Sequence, residues 1–90
     1  MRYTLSMLWF VYIARARTGR LYVGLTTNPE QRLNKHNAGT GSQFAQQQGP
    51  LELVYVSPAF LHKSIARKRE VQLKRWTRTK KEKLISGEWI

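Results

Sequence analysis

WFVYIARARTGRLYVG, residues 9–24, admits two incompatible readings, and the fold depends on which one holds. Arg2, the apolar run Leu5 to Ile13 and then Ala14-Arg15-Ala16 follow the order of a secretory leader: a positive start, a short hydrophobic stretch and a small-x-small cleavage site. With period two, the same letters are two short strands around a Thr18-Gly19 turn, each carrying a tyrosine. The first reading discards Tyr12, whereas the second sets it beside Tyr22 in one sheet. Composition favours the second. The 90 residues include no cysteine, and a secreted domain this small usually relies on disulfides. The expected compartment is therefore the cytoplasm, with no disulfide partner. No apolar run approaches the roughly 20 residues that a membrane span needs.

From Leu8 to Ala14, the residues Leu8, Phe10, Tyr12 and Ala14 share one strand face, and Trp9, Val11 and Ile13 share the other. Both faces are apolar, which predicts a central strand covered on both sides. Arg20 to Leu25 alternates more cleanly, with Leu21, Val23 and Leu25 opposite Arg20, Tyr22 and Gly24. The two runs predict an antiparallel hairpin.

Working outward, Asn28-Pro29-Glu30-Gln31 predicts a helix start. Asn28 caps, Pro29 takes the first helical position and Gln31 completes a capping box, the helix running to about Asn37. Residues 39–50, GTGSQFAQQQGP, read as a Gly/Gln-rich loop. In Leu51 to Val56, the residues Leu51, Leu53 and Tyr55 lie opposite Glu52, Val54 and Val56, a third strand that Ser57-Pro58 ends. Ser64 is the expected cap of a second helix from about Ile65 to Trp76, with Ile65, Ala66, Leu73 and Trp76 as its apolar stripe. Thr77 caps a third across residues 78–85, stopped by Ser86-Gly87. The order is β-β-α-β-α-α, in one domain over residues 1–90, with no internal repeat and no linker.

Charge is the strongest bulk signal. Lys and Arg number 16 against 5 acidic residues, for a net charge of +11. Much of it lies between His62 and Lys83, where ten basic residues face only Glu70 and Glu82. Such a field attracts polyanions, nucleic acid foremost. The alternatives are a solvated basic face or attraction to anionic lipid, but the N-terminal part contains little that resembles a membrane-binding helix. Candidate contacts are Arg67, Lys68, Lys74, Arg75, Arg78, Lys80 and Lys81, with Trp76 and Trp89 as stacking surfaces.

The chain has no Asp, so a hard-metal or acid/base site draws on Glu30, Glu52, Glu70, Glu82 or Glu88. Glu30 sits in a first helical turn, where the macrodipole explains it. Glu52 lies on a strand face. Glu82 and Glu88 lie among lysines, where a solvated ion pair is the ordinary account. Glu70 differs: on a helical wheel it falls about 40° from Ala66 and about 60° from Leu73, beside the apolar stripe. Taken alone, an i,i+4 pair with Lys74 explains it most simply, yet no other carboxylate is a better metal-ligand candidate. Arg32 and His36 are four apart and share a helix face. They suit a phosphate clamp with a titratable group, or equally two exposed polar side chains. His62 reads as structural or exposed. Tyr12 and Tyr22 alone would pass for β-formers filling a core.

Together these residues form a pattern. Val11-Tyr12-Ile13, a second tyrosine ten residues on in Tyr22-Val23-Gly24, Arg32 eight residues after that glycine, then His36-Asn37, Leu53-Val54-Tyr55 and Glu70 on a downstream helix resemble the GIY-YIG nuclease domain. The resemblance runs from about residue 9 to 86 and is closest to the small stand-alone members. It implies a compact α/β (α+β) domain on a three-stranded antiparallel sheet flanked by helices. It implies hydrolysis of a phosphodiester with one divalent metal, Mg²⁺ or Mn²⁺. Glu70 matches the metal-binding glutamate, Arg32 the arginine that steadies the phosphate, and Tyr12 and Tyr22 the two motif tyrosines. His36 matches a histidine found in a subset of members. An unperturbed phenol titrates near 10, so a tyrosine that deprotonates water at neutral pH needs nearby positive charge; Tyr12 is the expected base and Tyr22 its positioning partner. Phe10 stands in place of the first glycine of the family motif. The last Asn is Asn37, whereas many members have one downstream of the glutamate, where this chain offers Thr77 and Thr79.

The function so implied is a metal-dependent DNA endonuclease selective for structure or strand state, because a domain of this size has no spare module to read a long sequence. The alternatives are a basic module that grips nucleic acid without cutting, and an interaction domain in a DNA-repair complex. Neither the oligomeric state nor the choice between DNA and RNA is encoded in any motif.

Overall fold

The computed structural model describes residues 7–38 and 49–88. The elements are β1 (Phe10–Arg15), β2 (Leu21–Thr26), α1 (Pro29–Ala38), β3 (Glu52–Val56), α2 (Lys63–Arg75) and α3 (Arg78–Ile85). The order is the expected β-β-α-β-α-α, and the strands form one antiparallel sheet in the order β2-β1-β3. The two-sided apolar run therefore does occupy the centre. Of the loop expected over residues 39–50, positions 39–48 lie outside the described residues, as does Trp89.

The hairpin turns through three residues. Gly19 N–H donates to the Ala16 carbonyl and Ala16 N–H to the Arg20 carbonyl, both at 2.8 Å, with Gly19 at φ +90°. A turn followed by one residue of positive φ is the form in which a three-residue loop keeps the strand twist, and glycine takes that φ without steric cost. β1 and β2 pair without a break, Tyr12 opposite Gly24 and Ala14 opposite Tyr22.

Alternation divides the sheet into two faces. Val11 and Ile13 point to one, where they join Ala66 and Leu73 of α2 and Leu84 of α3 in the main core. Leu21, Val23 and Leu25 pack against that cluster from β2. Ala14 points to the other face and is also fully buried. α1 runs across β2 and β3 with Leu33 buried, which supplies the cover that face needs.

β3 departs from strict alternation. The register against β1 shifts between Ile13, opposite Tyr55, and Ala14, opposite Leu53. Adjacent residues Val54 and Tyr55 consequently both pack on the main core, a result of the bulge that no period-two reading anticipates. At the far end Ser57 continues the ladder with its side chain. Its N–H donates to Val11 O at 2.8 Å, its Oγ accepts from Val11 N–H at 2.9 Å, and its hydroxyl donates to Pro58 O at 2.8 Å. Beyond it, Trp9 and Phe60 exchange two backbone hydrogen bonds at 2.8 Å.

The helix starts hold in part. Asn28 Oδ1 accepts from Gln31 N–H at 3.1 Å, as a cap should. The reciprocal bond of the box is made differently, since Asn28 N–H donates to Thr26 Oγ1 at 3.2 Å. Thr77 caps α3, accepting from Lys80 N–H at 3.3 Å. The expected Ser64 cap is wrong: α2 begins at Lys63 with His62 as an extended cap that makes no side-chain bond. Ile65 also leaves the stripe and is 48% exposed, so Ala66, Glu70 and Leu73 form the buried line instead. Glu82 is no loose surface partner of lysines. Arg15 Nη1 and Nη2 donate to its two carboxylate oxygens at 2.9 and 2.8 Å, tying α3 to β1, and Arg78 adds a contact at 3.3 Å. The hydrogen bonds from Arg15 hold the Glu82 carboxyl below its ordinary pKa.

Candidate active site

Tyr22, Gly24 and Thr26 follow one another at period two along β2 and share a face, with Arg20 in the same period immediately before the strand. Tyr12 joins that face from β1, directly opposite Gly24. A Cβ built on Gly24 would overlap the Tyr12 ring at Cζ and Oη. The phenol therefore crosses onto β2 through space that any other residue would fill. That crossing brings Tyr12 to the neighbour of Tyr22 on the same face, diagonal across the strand pair. Gly24 leaves the Tyr12 ring its place over β2.

Tyr22 Oη is shielded from solvent, as is His36 Nε2 on α1, while Tyr12 is half-buried. The Arg20 guanidinium lies 5.7 Å from the Tyr22 ring centroid. On α1, Arg32 is exposed and His36 half-buried. Asn37, next along, makes a two-bond fork to the backbone of Leu51: its Nδ2 donates to Leu51 O at 3.0 Å and its Oδ1 accepts from Leu51 N–H at 2.9 Å. The His36-Asn37 pair thus splits its work, since the asparagine anchors the start of β3.

Glu70 is 7% exposed, the one buried acidic side chain among the described residues. Its partners come from its own helix, Arg67 Nε at 3.5 Å and Lys74 Nζ at 3.4 Å. The i,i+4 pair expected from sequence exists, and so does the burial that sets Glu70 apart. α2 packs on β2 and β1, and α1 on β2 and β3. The strand that carries Tyr22 is accordingly the element both helices adjoin. The tyrosines share one sheet face, and α1 brings Arg32 and His36 beside β2; Glu70 stands on α2, whose Ala66 and Leu73 pack with Val11 and Ile13 on the opposite face.

No cluster of three His, Cys, Asp or Glu side chains occurs among the described residues. A hard cation such as Mg²⁺ keeps several waters and binds through one or two carboxylates plus substrate phosphate, and Glu70 is the buried carboxylate that these residues offer it. A buried Glu70 carboxylate, held at 3.4 to 3.5 Å by two cations, fits such a site.

Of the basic residues singled out, Arg67, Lys68, Lys74, Arg75, Arg78 and Lys80 are exposed and Lys81 half-buried. Arg69 and Lys80 flank the Trp76 ring at 5.0 and 5.6 Å, which leaves less of that ring open for stacking than expected. Sequence reasoning passed over Arg20, although its place two residues before Tyr22 was a usable signal. It also passed over Ser57 and the Arg15–Glu82 pair, for which no local signal exists.

The fold is that of a known class. The family model for the GIY-YIG catalytic domain matches residues 8–83, and the chain belongs to that family. Its relatives are the UPF0213 proteins. One from Vibrio cholerae is 39% identical over 79 residues, covering 88% of this chain and 78% of that one. Another, from Oceanobacillus iheyensis, is 42% identical over 76 residues, covering 84% and 87%. The solution NMR structure of a UPF0213 protein from Bacillus halodurans matches with a TM-score of 0.56 at 38% identity, covering 89% of this chain and 84% of that one. The antiparallel sheet and helix order are those of this group. Family membership supports a nuclease acting on nucleic acid. No helix among the described residues is long and apolar enough to cross a membrane.

Proposed function

We propose that this protein is a divalent-metal-dependent endonuclease that cleaves DNA phosphodiester bonds, selecting by structure or strand state. The observation that carries the reading is the overlap of the Tyr12 ring with the space above Gly24, which sets two phenols on one strand face.

In this reading Glu70 would hold Mg²⁺ or Mn²⁺, which when bound would supply charge neutralisation at the phosphate and stabilisation of the leaving oxygen. Arg32 presents its planar fork to nonbridging oxygens, a geometry that lysine lacks. Tyr12 takes the proton of the attacking water. The shielded Tyr22 hydroxyl suits a positioning partner, which leaves Tyr12 the part of the base. His36, one turn after Arg32, orients groups around Tyr22 or the phosphate. Arg67, Lys68, Lys74, Arg75, Arg78 and Lys80, all exposed, and the half-buried Lys81 draw the strands in through their field, as cations on α2 and α3 do for polyanions.

A panel of labelled duplex, fork, flap and single-stranded DNA with Mg²⁺ or Mn²⁺ tests the reading. Cleavage of at least one substrate is expected, lost in Glu70→Ala and Arg32→Ala. Binding without cleavage across the whole panel would instead make the chain a nucleic-acid-binding module. The same panel in RNA decides the sugar.

A further inference from the structure

Arg20 stands immediately before β2, and its carbonyl closes the hairpin by accepting from Ala16 N–H at 2.8 Å. Strand alternation therefore extends back to it and places it on the Tyr22 face. Its guanidinium, 5.7 Å from the Tyr22 centroid, is within cation–π range. The ring is thus held at two points, with its hydroxyl buried at one end and a cation against one face.

The charge of Arg20 is also uncommitted. Arg67 and Lys74 are shared with Glu70, and Arg15 and Arg78 with Glu82. No carboxylate pairs with Arg20 among the described residues, and the side chain is exposed. A guanidinium held over a ring by its charge at 5.7 Å keeps N–H donors available for phosphate oxygens. We propose that Arg20 grips a backbone phosphate beside the scissile one, on the hairpin side, while holding the Tyr22 ring from above. The inference rests on the nuclease reading for the substrate, and it extends the site beyond the residues that the family pattern supplies.

Binding is measured in the Glu70→Ala protein, so it needs no cleavage. A labelled single-stranded oligonucleotide is titrated by fluorescence anisotropy over a salt series, with and without Arg20→Ala. Loss of one phosphate contact lowers the slope of log K against log salt by about 0.7. Arg20→Lys restores that slope. With Glu70 intact, kcat falls about tenfold in Arg20→Ala and stays several-fold low in Arg20→Lys, whose compact ammonium does not reproduce the planar guanidinium over the ring, while KM recovers. Matched thermal melts exclude a folding defect. An unchanged slope in Arg20→Ala overturns the phosphate contact, as does an absence of any binding at low salt. An unchanged kcat overturns the hold on Tyr22. A wild type that binds but never cleaves refutes the nuclease reading alone.

Discussion

A methyl group at position 24 would occupy the Tyr12 ring. The site therefore depends on an atom that is missing, and Gly24→Ala forces Tyr12 off the β2 face. Overpacking of this kind costs about 1–3 kcal/mol, and the displaced phenol should lower cleavage at least tenfold. Tyr12→Phe separates the two effects: it keeps the ring, so stability stays within about 0.5 kcal/mol of wild type, yet cleavage is lost. Urea unfolding and cleavage assays on both variants check this, and a fully active Gly24→Ala protein would refute the packing account. Ser57 is a second such residue, because its Oγ is the acceptor for the buried Val11 N–H at 2.9 Å. Ser57→Ala strands that donor and should cost about 1–3 kcal/mol in urea unfolding. The glycine was legible in the sequence as part of the Tyr22-Val23-Gly24 motif. The serine was not, since nothing local marks a hydroxyl that completes a strand pair 46 residues away.

The elements divide in the same way, by the range of the interaction that defines them. The Asn28 and Thr77 caps act across three residues, on Gln31 and Lys80, and both were readable. Glu70 was readable too, because its burial follows from a helical wheel about Ala66 and Leu73. Ile65 was misread because apolar character does not fix which way a first-turn side chain points, and the helix begins at Lys63. The β1–β3 register shift depends on pairing, which no single strand encodes. Asn37 belongs to this scale. Its fork to Leu51 pins the end of α1 to the approach to β3. Asn37→Ala should cost about 1 kcal/mol, seen as a lower urea midpoint with unchanged m. No change in midpoint would show that the fork contributes nothing in solution.

Across the whole molecule two carboxylates organise four cations, and they do so differently. Glu82 joins β1 to α3 over 67 residues of sequence, a link invisible to any local pattern. Its carboxyl is held below the ordinary value by Arg15, so its stabilisation is fully present above about pH 4.3 and is lost as pH falls through the lowered value. Arg15, raised from an already high value, stays charged throughout. Both side chains are about one-third exposed, which limits the pair to about 1 kcal/mol. Glu82→Gln should destabilise by that amount at pH 7 and by progressively less as pH falls through the lowered value, measured by urea unfolding; a loss that does not change with pH would mean that the charge is irrelevant.

Glu70 instead tempers Arg67 and Lys74 within the strongest basic stretch of a chain of net charge +11. Removing its charge while keeping its shape therefore acts in opposite directions on two measurements. Glu70→Gln should abolish metal-dependent cleavage. It should also leave DNA binding at low salt as tight as wild type or tighter, because two cations are released toward phosphate and the salt dependence steepens. A variant that loses binding in step with cleavage would place Glu70 in the fold and not in the chemistry, because a carboxylate that serves the metal has no attraction for the DNA itself.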